Sequence, residues 1–317
     1  MYRQLLLIAL LTPLFPLAAD ADEPAGPPAR HLRILAVGNS FSRNAGMYLA
    51  DIAQADGNRV TLFQAAPGGC TLERHWNCAV RFEADPDDAE GRPYGGKSLR
   101  QVLAAEPWNF VTIQQRSMDS FGPETYHPYA RLLHDYIKKH APQAEVVVHQ
   151  TWAYRADDPL FDSPDFQVQD MHRGLTAAYE AISRELGCRL LPVGAAFENA
   201  RLSDRWPDRF PDPDFDPAST QPPSLPDQRH SLHVGYRWAK QDDGEFRLRY
   251  DGHHANAAGC YLGSAVWYEV FFGRSVIGNR FVPAGLDAPQ VALLQQIAHQ
   301  TVTEKCRPAT APERSEK

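Results

Sequence analysis

Residues 32–42 read LRILAVGNSFS, and this stretch decides the predicted fold. Residues 32–37 are mostly apolar, as is typical of a strand that is buried on both faces of a parallel sheet. The turn GNS follows at once, and residues 43–55 then show the spacing of an amphipathic helix. Strand, tight turn and helix in this order predict the first unit of an α/β sheet.

Short apolar strands and amphipathic helical stretches alternate along the rest of the chain. Because parallel strands need a crossover between them, this alternation predicts a five-stranded parallel sheet with helices on both faces. Ligands bind such sheets at the carboxyl ends of the strands. The predicted strands are 32–37, 59–64, 109–114, 144–149 and 189–193, and the predicted helices are 43–55, 99–105, 126–140, 166–186, 255–272 and 289–305.

Three segments depart from this alternation. Residues 81–97 are polar and rich in glycine, which predicts a surface excursion. Residues 203–230 are rich in proline and aspartate and suit neither a helix nor a strand, so we interpret them as an insertion. Residues 232–250 alternate between apolar and polar around the turn sequence QDDG, which predicts a β-hairpin.

The first 21 residues have the pattern of an export signal. Arg3 supplies a positive charge, residues 5–17 form an apolar run, and the sequence ADA at 19–21 offers a cleavage site between small residues. A retained membrane anchor is the less favoured interpretation, because the run is short and contains two prolines. The sequence therefore predicts a signal peptide at 1–21 and a protein that is exported, either periplasmic or secreted.

After the signal we expect a disordered lead at 22–31, one domain over 32–306 and a disordered tail at 307–317. The formal net charge of the 317-residue chain is −7, and no cluster of lysine and arginine marks a basic face. This composition argues against nucleic acid as a partner. No later apolar stretch is long enough to cross a membrane, so we expect no membrane contact after cleavage. The oligomeric state stays open.

The chain contains five cysteines. In an oxidising compartment they could form disulfides, of Cys70 with Cys78 and of Cys260 with Cys306, which would leave Cys188 unpaired. Their spacing is not that of a zinc site. We therefore expect neither a metal nor another cofactor.

A serine follows the first predicted strand, at the edge where such sheets bind ligands. Ser40 lies near the start of the next helix, and the backbone N–H groups at a helix start favour negative charge. This position suits a nucleophile whose reaction forms an oxyanion. Serine is also a common helix N-cap, so the segment taken alone leaves both roles open.

A second polar cluster, DGHH at residues 251–254, is predicted to open the helix that starts at 255. A serine nucleophile needs a general base, and the base needs a carboxylate that fixes its tautomer. Asp251 and His254 can supply both functions. An aspartate with two histidines could instead bind a metal, and the cluster alone leaves this alternative open.

Residues 38–41, GNSF, resemble the G-D-S-L block of the SGNH (GDSL-like) hydrolase superfamily, and residues 251–254 resemble its D-x-x-H block. PGGC at 67–70 looks like the block that supplies an oxyanion-hole glycine. The wider set GNSFS, PGGC, TIQQRS, HQTWAY and DGHH is similar to a bacterial branch of that superfamily labelled as a domain of unknown function. The resemblance implies a flavodoxin-like three-layer α/β/α sandwich and a Ser-His-Asp esterase of the O-acetylesterase type, with Ser40, His254 and Asp251 as catalytic residues.

Two blocks depart from the family pattern. Asn39 replaces the aspartate of G-D-S, and the G-x-N-D block is missing after the third strand, where two glutamines stand instead. An asparagine amide from that block normally donates to the oxyanion, and a glutamine amide carries the same N–H donor. The resemblance therefore implies an oxyanion hole made by the backbone N–H groups of Ser40 and of Gly69 or Gly68, and by the side chain of Gln115, with Gln114 as the next candidate.

Aromatic and polar side chains near these blocks are predicted to bind a carbohydrate, because aromatic planes with flanking hydrogen-bonding groups suit sugar rings. Tyr236 and Trp238 on the hairpin could cap the site or pack against the core. The predicted substrate-binding residues are Asn39, Gln114, His149, Trp152, His75, Trp76 and His253.

The sequence thus predicts an exported ester hydrolase whose substrate is a small-molecule or glycan ester. Its nearest enzymatic alternative is a lipase-like acyl hydrolase. A non-catalytic carbohydrate-binding relative of the same fold is the alternative from another class, favoured by the missing third block. A metal-dependent hydrolase that uses Asp251, His253 and His254 is the least favoured.

Overall fold

The computed structural model describes residues 28–207 and 210–306. The predicted signal peptide, the predicted tail at 307–317 and residues 22–27 of the predicted lead lie outside the described residues. The lead ends one residue earlier than expected, because His31 already pairs with Arg59 in the sheet. Within the described ranges, no helix combines the length and the apolar character that crossing a membrane requires.

The described residues form a parallel sheet of five strands: β1 (His31–Val37), β2 (Arg59–Ala65), β3 (Phe110–Ile113), β4 (Glu145–His149) and β5 (Arg189–Leu191). Their order in the sheet is β2-β1-β3-β4-β5, which is the flavodoxin-like order. Val37 pairs with both Ala65 and Ile113, so the segments that leave the first three strands start side by side. The predicted fold class is confirmed.

Two layers of helices cover the sheet. Their members are α1 (Ser40–Ala45), α2 (Leu49–Ala55), α3 (Leu72–Ala84), α4 (Leu99–Leu103), α5 (Tyr129–His140), α6 (Val168–Leu186), α7 (Val193–Arg201), α8 (Ala257–Phe272) and α9 (Ala288–Lys305). Helices α1, α2, α7 and α9 pack against α8, whereas α3, α4 and α6 pack against α5. Helix α8 is buried from Ala258 to Phe272, as its almost uniformly apolar sequence requires.

Several boundaries differ from those predicted. The expected helix at 43–55 is two helices, α1 and α2, and the first begins at Ser40. Helix α3 was not predicted: its sequence overlaps the expected excursion at 81–97, and Thr71 caps it by accepting the N–H of Arg74 at 3.0 Å. Strand β5 is shorter than expected because Pro192 has no N–H to continue the ladder, and the unpredicted α7 starts directly after it.

The predicted hairpin is present as β6 (His233–Lys240) and β7 (Phe246–Ala255), which pair antiparallel. Strand β7 continues five residues beyond its predicted end, so the DGHH cluster lies on a strand and not on the start of a helix. Asn256 starts α8 instead, because its side chain accepts the N–H groups of Ala258 and Gly259. In the predicted insertion, residues 203–207 and 210–230 contain no helix or strand.

All five cysteines lie in the described ranges and are free, so neither predicted disulfide forms. Cys260, in the first turn of α8, points its thiol at the carbonyl of Ala255, whereas the thiol of Cys306 lies beside Leu190. Burial raises the pKa of Cys70 and of Cys260 to about 12, which keeps both as neutral thiols.

Candidate active site

Ser40 is the first residue of α1, directly after the turn that leaves β1. The N-cap of this helix is Asn39, whose Oδ1 accepts the N–H of Phe41 at 3.1 Å. Because Asn39 performs the capping, the Ser40 hydroxyl is free for another contact. The two roles that the sequence left open for Ser40 are thus divided between two neighbouring residues.

Three side chains form a hydrogen-bonded relay that starts at Ser40. Its Oγ lies 2.8 Å from Nε2 of His254. Nδ1 of the same imidazole lies 2.8 Å from Oδ2 of Asp251, while Oδ1 of Asp251 accepts the backbone N–H of His254 at 3.0 Å. The structure therefore brings together the three residues that the sequence predicted to meet, although Ser40 and His254 are 214 positions apart.

The charge state of Asp251 orients this relay. Burial alone would raise the pKa of the carboxyl group, but hydrogen bonds from the ring and the backbone of His254 outweigh burial and hold the pKa well below its usual range. Asp251 is therefore ionised at neutral pH and accepts a proton-bearing Nδ1. That tautomer leaves the lone pair of Nε2 facing the hydroxyl of Ser40.

The end of β7 that carries the acid and the base is tied down from two sides. The carbonyl of Gly252 accepts the N–H of Arg155 at 2.8 Å, and the carbonyl of His253 accepts the indole N–H of Trp152 at 2.9 Å. From the other side, Oδ1 of Asn44 accepts the N–H of Ala255 at 3.2 Å. Sequence reasoning missed Arg155 and Asn44, although Asn44 lies one helical turn after Ser40 on α1.

The side chain of Arg155 is itself the centre of a buried network. It forms a bidentate ion pair with Asp157 at 2.6 and 2.7 Å, and its Nη1 donates to Gln228 at 2.6 Å. Its guanidinium also lies 5.3 and 5.1 Å from the ring centres of Tyr236 on β6 and Tyr250 on β7. The network fastens the hairpin to the segment that follows β4. On β7 the point of attachment is Tyr250, the residue before Asp251 of the relay.

Trp152 belongs to the core and not to a sugar-binding surface, which corrects its predicted role. It is fully buried and stacks on Phe197 with ring centres 4.4 Å apart, while Phe41 packs on it at the same distance. Phe41 also lies against the ring of His254. The stack of Trp152 and Phe41 therefore packs against the imidazole of His254 and supports its position.

The two glutamines after β3 are bonded within the protein. Gln114 accepts the hydroxyl proton of Ser42 at 2.7 Å and donates to Oδ1 of Asn39 at 2.9 Å. Gln115 donates through Nε2 to the carbonyl of Thr125 at 2.8 Å, and its Oε1 accepts the N–H of Leu72 at 3.1 Å. Both side chains are buried. The prediction that Gln115 or Gln114 donates to an oxyanion is therefore wrong, and so is substrate binding by Gln114 and Asn39.

Two buried histidines also have structural positions. His75 lies 2.9 Å through Nε2 from the carbonyl of Gly38 and 2.7 Å through Nδ1 from the hydroxyl of Tyr94. His149 packs against Trp267, and its Nε2 has no hydrogen-bond partner among the described residues. Burial lowers the pKa of His75 to about 4 and that of His149 to about 3. Neither ring reaches solvent, so their predicted contact with substrate is wrong.

Trp76 and the hairpin aromatics pack within the protein. Trp76 lies edge-on to Tyr136 with ring centres 6.1 Å apart, which places it between α3 and α5 and not at the relay. Trp238 donates its indole N–H to the carbonyl of Ser224, and Tyr236 packs against Tyr250. Of the two roles left open for the hairpin aromatics, packing is the one observed.

His253 remains a candidate for substrate contact, because 39% of its side chain is exposed beside the relay. Its Nδ1 lies 3.3 Å from Oδ1 of Asp251. Burial lowers the pKa of His253 despite the nearby carboxylate, so the ring is neutral at pH 7. Together with His254, these residues offer three ligand atoms within 4.8 Å of one another, which is the geometry of the metal-binding alternative.

Backbone donors lie open next to the relay. The segment after β2 runs beside the turn after β1, where Nδ2 of Asn39 donates to the carbonyl of Cys70 at 3.1 Å. The N–H groups of Ser40, Gly68 and Gly69 make no hydrogen bond to any described residue. Gly69 has a φ of 60°, a left-handed conformation that glycine adopts without strain. These backbone groups remain the predicted donors to an oxyanion.

A solved structure that superposes on most of this chain agrees with the architecture. A crystal structure of a DUF4886 family protein from Bacteroides uniformis superposes with a TM-score of 0.66 at 24% identity, covering 86% of this chain and 95% of that one. A candidate SGNH hydrolase from Slackia heliotrinireducens superposes with a TM-score of 0.45 at 23% identity, covering 75% of this chain and 98% of the other. No curated protein matches the sequence significantly.

The sequence itself carries the family assignment. Residues 33–211, more than half of the chain, match the family DUF4886, which is described as a domain of unknown function. The match spans β1, the Ser40 turn, the glycine block and the glutamine pair, and it ends before the hairpin. It confirms that the chain belongs to a family labelled as a domain of unknown function, as predicted, and the chain is accordingly a member of the DUF4886 family.

Proposed function

We propose that the protein is an exported serine esterase that cleaves an acyl ester, carried by a carbohydrate, through Ser40, His254 and Asp251. The observation that carries the proposal is the distance of 2.8 Å between Oγ of Ser40 and Nε2 of His254. A serine hydroxyl is a weak nucleophile unless a base takes its proton, and a base at this distance can do so.

The relay suggests the order of proton transfers. Asp251 holds His254 with a proton on Nδ1, so Nε2 takes the proton of Ser40 as Oγ attacks the carbonyl carbon of the ester. The N–H groups of Ser40 and of Gly68 or Gly69 then stabilise the oxyanion of the tetrahedral intermediate. His254 returns the proton to the leaving alcohol, and a water molecule, activated in the same way, releases the acid from Ser40.

The carbohydrate part of the proposal rests on the export pattern of residues 1–21 and on the surface beside the relay. A polar groove with a volume of about 580 Å³ begins at the glycine block, and a sugar ring fits within such a volume. Because the aromatic side chains predicted to bind sugar pack within the protein, we assign carbohydrate contact to this groove and to His253.

A non-catalytic carbohydrate-binding protein is the second candidate, favoured by one observation. Gln115, which replaces the usual asparagine donor, directs its amide N–H to Thr125. Loss of one oxyanion donor costs about 3 kcal/mol of transition-state stabilisation, or roughly a hundredfold in rate. An enzyme with backbone donors alone would therefore be slow but measurable.

A comparison of two serine variants tests the proposal. Ser40→Ala should abolish hydrolysis of p-nitrophenyl acetate and of acetylated sugars, whereas Ser42→Ala, the same change two residues later on α1, should keep most of it. A fluorophosphonate probe should label Ser40 in the unmodified protein, as located by mass spectrometry. Absence of both hydrolysis and labelling would favour the binding protein, and loss of activity with a chelator would favour the metal-dependent alternative.

A further inference from the structure

The groove beside the glycine block has a defined position relative to Ser40. Pro67 and Gly68 of the glycine block line it, and Arg43 lines it from α1, three residues after the nucleophile. The turn that contains Tyr94, Gly95 and Lys97 supplies another wall. A group bound in this groove therefore contacts Gly68, one of the backbone donors that we assign to the oxyanion.

The charges of the groove differ from those of the whole chain. The chain has a formal net charge of −7, yet no aspartate or glutamate lines this groove. Arg43 and Lys97 both line it, both are exposed, and neither side chain makes a hydrogen bond or an ion pair with a described residue. By contrast, Arg81 in the neighbouring hollow is paired with Asp88 and Glu90. Two unpaired cations without a carboxylate attract an anion.

The wall that carries Lys97 is fixed in place. Tyr94 and Lys97 exchange two backbone hydrogen bonds across a turn in which Gly95 and Gly96 have φ values of 62° and 79°, as only glycine adopts readily in succession. The buried hydroxyl of Tyr94 is bonded to His75, and the same imidazole is bonded to the carbonyl of Gly38. The groove wall is thereby connected through one ring to the turn that presents Ser40.

We infer that this groove binds a negatively charged group of the substrate, so that the ester cleaved at Ser40 is carried by an acidic sugar. A carboxylate or a sulfate accepts hydrogen bonds from Arg43 and Lys97, whose backbone positions are set by α1 and by the hydrogen-bonded turn at Tyr94. The inference rests on the proposed esterase activity and narrows its substrate class to anionic glycans.

Matched substrates test the inference. The O-acetylated methyl glucuronoside and the O-acetylated methyl glucoside differ only by the carboxylate, and the 6-sulfate of the glucoside tests the second anion. We expect kcat/KM to be roughly tenfold higher for an anionic substrate at low salt, and this preference should shrink as salt screens the charges. Preference for either anion supports the inference and identifies the anion, whereas equal rates on all three substrates overturn it.

A pair of double variants assigns the effect to the groove. Arg43→Gln with Lys97→Gln removes both charges and should abolish the preference. The control variant, Arg59→Gln with Arg280→Gln, removes the same charge from two exposed arginines whose side chains make no hydrogen bond with a described residue. Arg59 starts β2 and Arg280 lies near it, at the amino edge of the sheet, so this variant should retain the preference for anionic substrates. A preference that persists in the groove variant contradicts the inference, provided that both variants keep the melting temperature of the parent.

The inference and the proposed function can fail separately. Cleavage of p-nitrophenyl acetate, a neutral ester, reports the esterase activity alone. If neither this ester nor any acetylated sugar is cleaved, the proposed function fails. Calorimetry with unacetylated methyl glucuronoside then tests whether the groove binds an anionic sugar. If the parent protein binds this sugar and the Arg43→Gln, Lys97→Gln variant does not, the groove is an anion site without catalysis. If the parent protein does not bind it, the anion site is overturned as well.

Discussion

Two groups of polar side chains lie at the carboxyl edge of the sheet, and they differ in what their atoms are free to do. In the relay, the partly exposed hydroxyl of Ser40 faces an imidazole at hydrogen-bond distance. In the layer beneath, which we call the buried scaffold, the side chains are excluded from solvent and bonded mostly to one another and to the backbone. The scaffold comprises Asn39, His75, Gln114, Gln115 and His149.

The comparison teaches that residue type alone does not assign chemistry at this edge. His75 follows a sequence block that resembles a catalytic one and His254 ends another, yet only His254 has a ring nitrogen that faces the proposed nucleophile. A buried polar group must satisfy its hydrogen bonds inside the protein, and this requirement consumes the donors that catalysis would use. Access to solvent separates the two groups.

The strongest test breaks the relay at its carboxylate. Asp251→Asn keeps the shape of the side chain but can donate to Nδ1 of His254, which favours the wrong tautomer. We expect kcat on p-nitrophenyl acetate to fall by about 10⁴-fold with little change in the melting temperature. An Asp243→Asn control, the same substitution in the exposed turn of the hairpin, should leave kcat unchanged. A loss below tenfold in Asp251→Asn would mean that the relay is not catalytic.

The second test removes the side chain of Arg155, the centre of the network that fastens the hairpin. Arg155→Met removes the buried guanidinium and leaves Asp157 without its ion-pair partner, which should lower the free energy of unfolding by about 3–5 kcal/mol. Urea denaturation measures this loss, and kcat should fall as well because the side-chain network that fastens the hairpin to the segment after β4 is broken. In a background of Asp157→Asn, the same substitution should cost distinctly less. Equal costs in both backgrounds would contradict the ion pair as the source of the stability.

The third test addresses the scaffold through pH. Two histidines of the scaffold, His75 and His149, are buried, and so is His233 at the start of β6. Burial lowers the pKa of His75 and His233 to about 4 and that of His149 to about 3. The same histidines take up protons near pH 6.5 when the chain is unfolded. Stability is therefore complete above pH 6.5 and is lost as the pH falls toward the folded values, at about 1.4 kcal/mol per pH unit for each histidine.

A leucine substitution shows how much of this pH dependence of the unfolding free energy comes from His149. His149→Leu replaces a ring whose Nε2 has no partner among the described residues, so the slope of unfolding free energy against pH between 6 and 4.5 should lose about 1.4 kcal/mol per pH unit, the contribution of one histidine. His127→Leu, at an exposed histidine, should leave the slope as it is. If His149→Leu does not flatten the slope, the scaffold is not the origin of the acid sensitivity.

The smallest expected effect compares the two glycines beside the relay. A Cβ on Gly68 meets no atom within 4 Å, so Gly68→Ala should change stability by less than about 0.5 kcal/mol. Gly69 has a positive φ, so Gly69→Ala should cost about 1–2 kcal/mol. Thermal denaturation gives both stability changes. Measuring kcat of the same two variants shows whether catalysis depends on the backbone conformation at Gly68 or at Gly69. Equal stability losses would contradict the backbone assigned to this turn.

Much of the fold was accessible from local patterns. Alternating apolar strands and helices predicted the five-stranded parallel sheet, and the turn sequence QDDG predicted the hairpin, because each of these signals depends on neighbouring residues. The missed elements, α3 and α7, carry weaker signals. Helix α3 is polar on its outer face and runs into the glycine-rich segment, and α7 follows Pro192 without a side-chain cap.

The site was only partly accessible, for a different physical reason. Ser40, His254 and Asp251 stand in short blocks whose spacing is visible, whereas the roles of Gln115 and Trp152 depend on what packs around them. Gln115 is satisfied by Thr125 and Leu72, and Trp152 by Phe197 and the carbonyl of His253. Partners that are distant in sequence decide whether a polar or aromatic side chain faces a ligand.

The sequence by itself determined the five strands of the sheet, the hairpin and the three residues proposed to form the relay, since these follow from local periodicity and from short blocks. Only the tertiary structure decided which polar groups stay free, because burial and hydrogen bonding depend on contacts across the whole chain. The same holds for the cations of the groove. Arg43 and Lys97 are unremarkable in the sequence, and they form one surface only because the turn at Tyr94 is bonded through His75 to the turn that carries Ser40.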